Sequence, residues 1–174
     1  MNVRRGGIWD GLVVGVIAYA AVASFYAAFD LLAARGMLFT VNLLGQAMFR
    51  GLRDPAMLQT VVTPDLTVVM LYNGVHFVAS VLIGLTVVGI VAAAERRPQV
   101  APFAFLTIVG GYVLTVVVVA YFTTAMRTLL PIWSIAVANA CAAAIAGLYL
   151  LHRRPGTWAR LSPFGSLTAG MRAP

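Results

Sequence analysis

The chain contains no lysine. All twelve of its basic residues are arginine, and they are set against only five acids, Asp10, Asp30, Asp54, Asp65 and Glu95. Charged residues make up 10% of the sequence, where a soluble domain carries roughly 25%. So few charges cannot coat a water-facing surface. With 61% hydrophobic residues, the outside of the molecule is expected to face lipid. The single cysteine, Cys141, excludes an intrachain disulfide and any metal site built on thiolates. Set in NACAAAIAG, it reads as a small buried hydrophobe. The formal charge of +7 sits at the ends of apolar runs. That is where membrane proteins hold cations against headgroups, so it argues against nucleic acid as a partner.

Chemistry-bearing motifs are scarce as well. There is no glycine-rich phosphate loop, no Ser–His–acid set, no metal-ligand spacing and no pair of carboxylates within one apolar segment. The two glycines of TIVGGYVL stand inside a long apolar run with no lysine after them, so they read as helix-packing positions. An enzyme is therefore not expected. No internal repeat of the transporter kind is evident.

Four apolar segments of about 20 residues or more are present, long enough to cross a bilayer as helices. They run over about 9–34, 66–94, 102–126 and 131–151. The first is too long for the apolar core of a signal peptide, which covers roughly 7–15 residues, and is read as a retained span. Several are rich in valine, notably VLTVVVVAYF. In lipid a helix satisfies its own backbone, so setting overrides strand propensity. The expected fold is an all-α integral membrane protein, with a transmembrane domain over 1–152 and an arginine-containing tail over 153–174.

The one long connection, between the first and second spans, is too apolar for an open loop. Thr40 is a candidate N-cap. Leu43, Leu44, Ala47 and Met48 fall on one face, with Asn42, Gln46, Arg50 and Arg53 as the polar counterweight. This predicts an amphipathic surface helix over about 41–52, Leu44 and Met48 buried and Arg50 and Arg53 wet. The tail, rich in Gly, Pro, Ser and Arg, is expected to be disordered alone. A partner or headgroups would engage it through Arg153, Arg154, Trp158, Arg160 and Phe164.

With an even number of spans both termini lie on one side. Eight arginines (4, 5, 96, 97, 153, 154, 160 and 172) lie on that side and four (35, 50, 53 and 127) on the other. By the positive-inside rule both termini are expected in the cytoplasm of a bacterial inner membrane. Trp9, Trp133 and Trp158 fall near span ends, as interfacial anchors do.

The segment LYNGVHFVAS places Asn73, His76, Ser80 and, four further on, Gly84 along one helix stripe. Gly11 and Gly15 form a similar small-residue patch on the first span, and such patches let helices approach closely. Polar side chains in a membrane turn inward or toward a partner. The first expectation is therefore packing: His76 neutral and hydrogen-bonded, with Asn73, Ser80 or Asn139 (at similar depth on the fourth span) as partners. The competing expectation is that His76 is an axial ligand to haem or (bacterio)chlorophyll. A two-histidine haem is excluded, because the other histidine, His152, lies at a span end beside Arg153. Asp30 is expected to be ion-paired with Arg35, Arg50 or Arg53 rather than to relay protons. Asp10 and Asp65 are expected to be helix N-terminal charges.

Together these features suggest a non-catalytic accessory subunit of a larger membrane complex, such as a photosynthetic reaction-centre, light-harvesting or respiratory assembly. Its partners would be other membrane subunits and lipids. A tetrapyrrole-binding protein and a small transporter or channel are the alternatives.

Overall fold

A computed structural model describes residues 3–52, 54, 56–57 and 63–154. Among them every regular element is helical. The helices are α1 (Val3–Leu32), α2 (Phe39–Phe49), α3 (Leu66–Arg96), α4 (Ala101–Phe122) and α5 (Ile132–Arg153), with single 3₁₀ turns at Pro98–Val100 and Thr124–Met126. Four of them, all but α2, are long and apolar enough to cross a membrane. The molecule is a multi-pass membrane protein with a short helix between its first and second spans.

α1 and α3 are antiparallel neighbours, and glycine is the reason. A methyl group added at Gly84 would stand 2.5 Å from the Gly11 carbonyl oxygen and the Gly15 nitrogen. One added at Gly15 would meet the Val81 Cα at 2.5 Å and the Ser80 carbonyl oxygen at 2.8 Å. The two backbones therefore touch where Gly11 and Gly15 face Ser80, Val81, Gly84 and Leu85. Close approach of this kind is how helices associate in lipid, where no hydrophobic force draws apolar faces together. α5 joins α1 on its other side. Ser134, Ala138, Ala142 and Ala146 form its buried stripe, and Val14, Val88, Ala146 and Leu150 close one end of the bundle.

α4 stands apart from this core. Only Ala101 and Ala104 of its residues are buried, and they meet Ala94 at the very start of the helix. At its far end Val116 and Val119 flank the cluster of Leu43, Ala47, Met126, Leu129, Leu130 and Ile135. Between these ends the Tyr112 hydroxyl donates to the Ala136 carbonyl at 3.0 Å. A methyl at Gly110 or Gly111 would meet nothing within 4 Å.

α2 covers the opposite end of the bundle from the chain termini, but not as its composition suggests. Leu43 and Ala47 are buried and Leu44 is half-buried, yet Met48 is 56% exposed. Asn42 and Gln46, counted in the polar counterweight by amphipathic reasoning, are buried instead, as is Thr40. The expectation failed because Thr40 and Asn42 have partners outside α2, in Asp30 and Asp65. Thr40 is not the N-cap either. It is the second residue of the helix, and its cap comes from Asp30 of α1. Gly45 packs directly on the backbone of Val68. Cys141, expected inside, is exposed on the apolar surface of α5.

Candidate functional site

Three groups of polar side chains stand out: one at each end of the bundle and one near mid-span.

At the α2 end, Asp30 has no solvent exposure. Its carboxylate accepts the Thr40 N–H at 2.6 Å and the Thr40 hydroxyl at 2.7 Å, so α1 supplies the cap that α2 lacks. Arg35 donates to the same carboxylate at 3.2 Å and to the Leu129 carbonyl at 2.9 Å. Helix α1 has ended by then. Ala34 and Gly36 take positive φ, which turns the chain so that a residue five positions on can reach back. The guanidinium lies against the rings of Phe29 and Phe39, 5.2 and 4.5 Å from their centroids. Nearby, Asp65 caps α3 by accepting the Thr67 N–H at 2.9 Å. It also pairs with Arg50 at 3.3 Å, and its own N–H donates to Asn42 at 3.0 Å. Desolvation pushes the Asp65 carboxyl up. The Thr67 N–H, the Arg50 guanidinium and the Val68 N–H together outweigh it, and the group titrates below the usual carboxylate range. Arg50, expected on lipid or a partner, thus joins α2 to α3. Arg53 lies outside the described residues.

At the other end, Arg154 bridges three helices. It donates to Asp10 of α1 at 3.0 Å and to Glu95 of α3 at 2.8 Å. Arg153 lies 3.6 Å from Asp10, and the Tyr149 hydroxyl donates to the same carboxylate at 3.4 Å. Asp10 was expected to act as a charge at a helix start. In fact α1 begins at Val3 and Asp10 is buried two turns in. Arg154 is 19% exposed, so it serves the bundle before any headgroup. Trp158, Arg160 and Phe164 of the tail lie outside the described residues.

Near mid-span, Asn73 accepts the Tyr19 hydroxyl of α1 at 2.9 Å and donates to Val69 one turn back at 2.9 Å. Nothing in the sequence singled out Tyr19. His76 lies beside it, with the Tyr19 ring at 5.2 Å and the Tyr72 ring at 6.0 Å. The expected hydrogen bonds of His76 to Asn73, Ser80 or Asn139 are not formed. Ser80 is buried against Gly15, and Asn139 bonds the Ile135 carbonyl of its own helix at 2.8 Å. Among the described residues His76 has no hydrogen-bond partner. The stripe of α3 that carries Ile90 and Ala94 continues through Thr86, Ile83 and Ala79, all outside the buried core, to His76. The imidazole is half-buried, on the stripe of α3 whose far end meets the start of α4. Among the described residues no group of three or more His, Cys, Asp or Glu side chains is placed to hold a metal ion.

No protein-family model matches the chain, and no curated protein or solved structure matches it.

Proposed function

We propose that this chain is a non-catalytic accessory subunit of a larger bacterial inner-membrane complex, of the photosynthetic or respiratory kind. The observation that carries the reading is the use made of charge. Asp10, Asp30, Asp65 and Glu95 each hold an arginine, and those pairs join α1 to α5, the end of α1 to the head of α2, α2 to α3, and α3 to α5. Acids at a membrane's edge that are spent on bracing helices suit a scaffold better than a pump or carrier, which needs such groups along a path. The weakly packed α4 leaves an apolar helix available to neighbouring chains.

A second reading rests on His76. Its imidazole has no hydrogen-bond partner among the described residues and is flanked by Tyr19 and Tyr72. A neutral imidazole with a free ring nitrogen, carried on an apolar span, suits axial ligation of a haem iron or chlorophyll magnesium. One experiment separates the two. The protein is purified from its native membrane in mild detergent, its companions are identified by mass spectrometry, and an absorption spectrum is taken. A fixed set of membrane subunits at constant ratio supports the accessory role. Purification alone with a Soret or far-red band supports the pigment reading and rejects the first.

A further inference from the structure

The bundle end that carries the chain termini has more guanidinium than it can neutralise. Its two acids, Asp10 and Glu95, are both engaged by Arg154. Arg153 is 54% exposed at 3.6 Å from Asp10. Arg96 and Arg97, at the end of α3, are exposed, and no acid among the described residues pairs with them. Arg4 and Arg5 stand in the first turn of α1.

A groove on the outer side of the α1–α3 seam leads toward this end. Trp9, Leu12, Val13 and Val16 of α1 form one wall, and Phe77 and Val81 of α3 the other, with no polar lining. Its floor is fixed, because Gly11, Gly15 and Gly84 hold the two backbones in contact. Register ties the groove to the charge. Phe77, Val81, Leu85, Ala92 and Arg96 are spaced four, four, seven and four apart, so they share one face of α3. Arg96 follows Val81 by fifteen residues, about 22 Å along the helix. That is half of a bilayer roughly 40–45 Å thick with its headgroups.

We infer that this groove and Arg96 together form a site for an anionic phospholipid. One acyl chain lies against Trp9, Val16, Phe77 and Val81. The phosphate-bearing headgroup rests on Arg96, in the positive field of Arg97 and Arg153. Arginine suits that contact because its planar fork donates two parallel hydrogen bonds to phosphate oxygens. The inference requires only that the chain spans a membrane, and it stands whether or not the accessory-subunit reading holds.

The test is native mass spectrometry of the full chain in detergent, offered phosphatidylglycerol and phosphatidylcholine in equal amounts. The wild type should retain phosphatidylglycerol over phosphatidylcholine by roughly five- to thirtyfold, the scale of one or two arginines at an anionic surface. Arg96→Gln should remove most of that preference, while Arg127→Gln, at the opposite end, should leave it unchanged. Val16→Trp, at a 45% exposed position that projects into the groove, should release the bound lipid with the helical spectrum intact. Equal retention of the two lipids would overturn the site. So would an equal loss of preference in Arg96→Gln and Arg127→Gln, or full retention in Val16→Trp, which would mean diffuse attraction without a seated chain.

Discussion

His76 carries a hydrogen-bond donor and an acceptor into hydrocarbon. A buried polar group left unpaired costs about 1–3 kcal/mol, and the described residues offer the half-buried ring aromatic neighbours but no hydrogen-bond partner. A partner from outside the chain would recover that cost. On the accessory-subunit reading, His76→Gln keeps a donor and an acceptor and should assemble nearly as well as the wild type. His76→Leu should weaken assembly by about 1 kcal/mol, within the range measured for hydrogen bonds between membrane helices. Recovery of the complex from each variant measures this, and an absorption band lost in both variants would reassign His76 to a cofactor. The position of His76 on a polar stripe was readable from spacing alone, whereas its lack of a partner was not. The hydroxyl that satisfies Asn73 belongs to Tyr19, 54 residues away, and nothing in the sequence marks one tyrosine of a span over another. Asp10 was misread for a related reason. Its role depends on Arg154 arriving from 144 residues further on.

The element whose behaviour departs most from its local sequence is α2. Its period and length were legible, but its orientation was not, because amphipathic reasoning assumes that polar residues seek water. Here Asn42 holds the Asp65 N–H, and Thr40 gives both of its donors to Asp30. α2 is therefore capped by α1 and docked on α3, and its stability belongs to the bundle. The spans show the opposite case. Length and hydropathy settle a transmembrane helix nearly alone, since backbone satisfaction in lipid leaves few other choices. The cap of α2 should be sensitive to Asp30. Asp30→Ala leaves two Thr40 donors unmet and Arg35 without its carboxylate. Loss of one partner of a buried pair costs about 3–5 kcal/mol. Arg35 is 21% exposed, which places the expected loss near the lower figure. Asp30→Asn, which retains an acceptor, should fall between Asp30→Ala and the wild type. Thermal unfolding in detergent and hydrogen exchange at the Thr40 amide check this. An alanine variant that melts with the wild type and keeps Thr40 protected would show that α2 is held by its apolar contacts alone.

At the scale of the whole molecule, charge is divided unequally between the two ends. The end bearing α2 has Arg35, Arg50, Arg53 and Arg127 with Asp30, Asp54 and Asp65, a formal +1. Counted along the sequence, the segments on the terminal side of the spans carry the other eight arginines with Asp10 and Glu95, a formal +6, and together the two sides account for the total of +7. The structure sharpens this contrast, because Arg35 and Arg50 are held in ion pairs, whereas Arg96 and Arg97 are exposed with no acid among the described residues to pair with them. Arginines flanking spans are retained on the cytoplasmic side during insertion, and the rule counts basic residues near span ends. Among the described residues at the terminal end, Arg96, Arg97, Arg153 and Arg154 all lie within two residues of a span end. Both termini are therefore expected in the cytoplasm. Green fluorescent protein fused after Pro174 should fluoresce, and alkaline phosphatase fused there should be inactive. A phosphatase inserted between Gly51 and Thr63, in the connection from α2 to α3, should be active. The reverse pattern would turn the molecule over, place its lipid-facing arginines on the periplasmic leaflet, and require that pairing with Asp30 and Asp65 does not exempt Arg35 and Arg50 from the insertion rule.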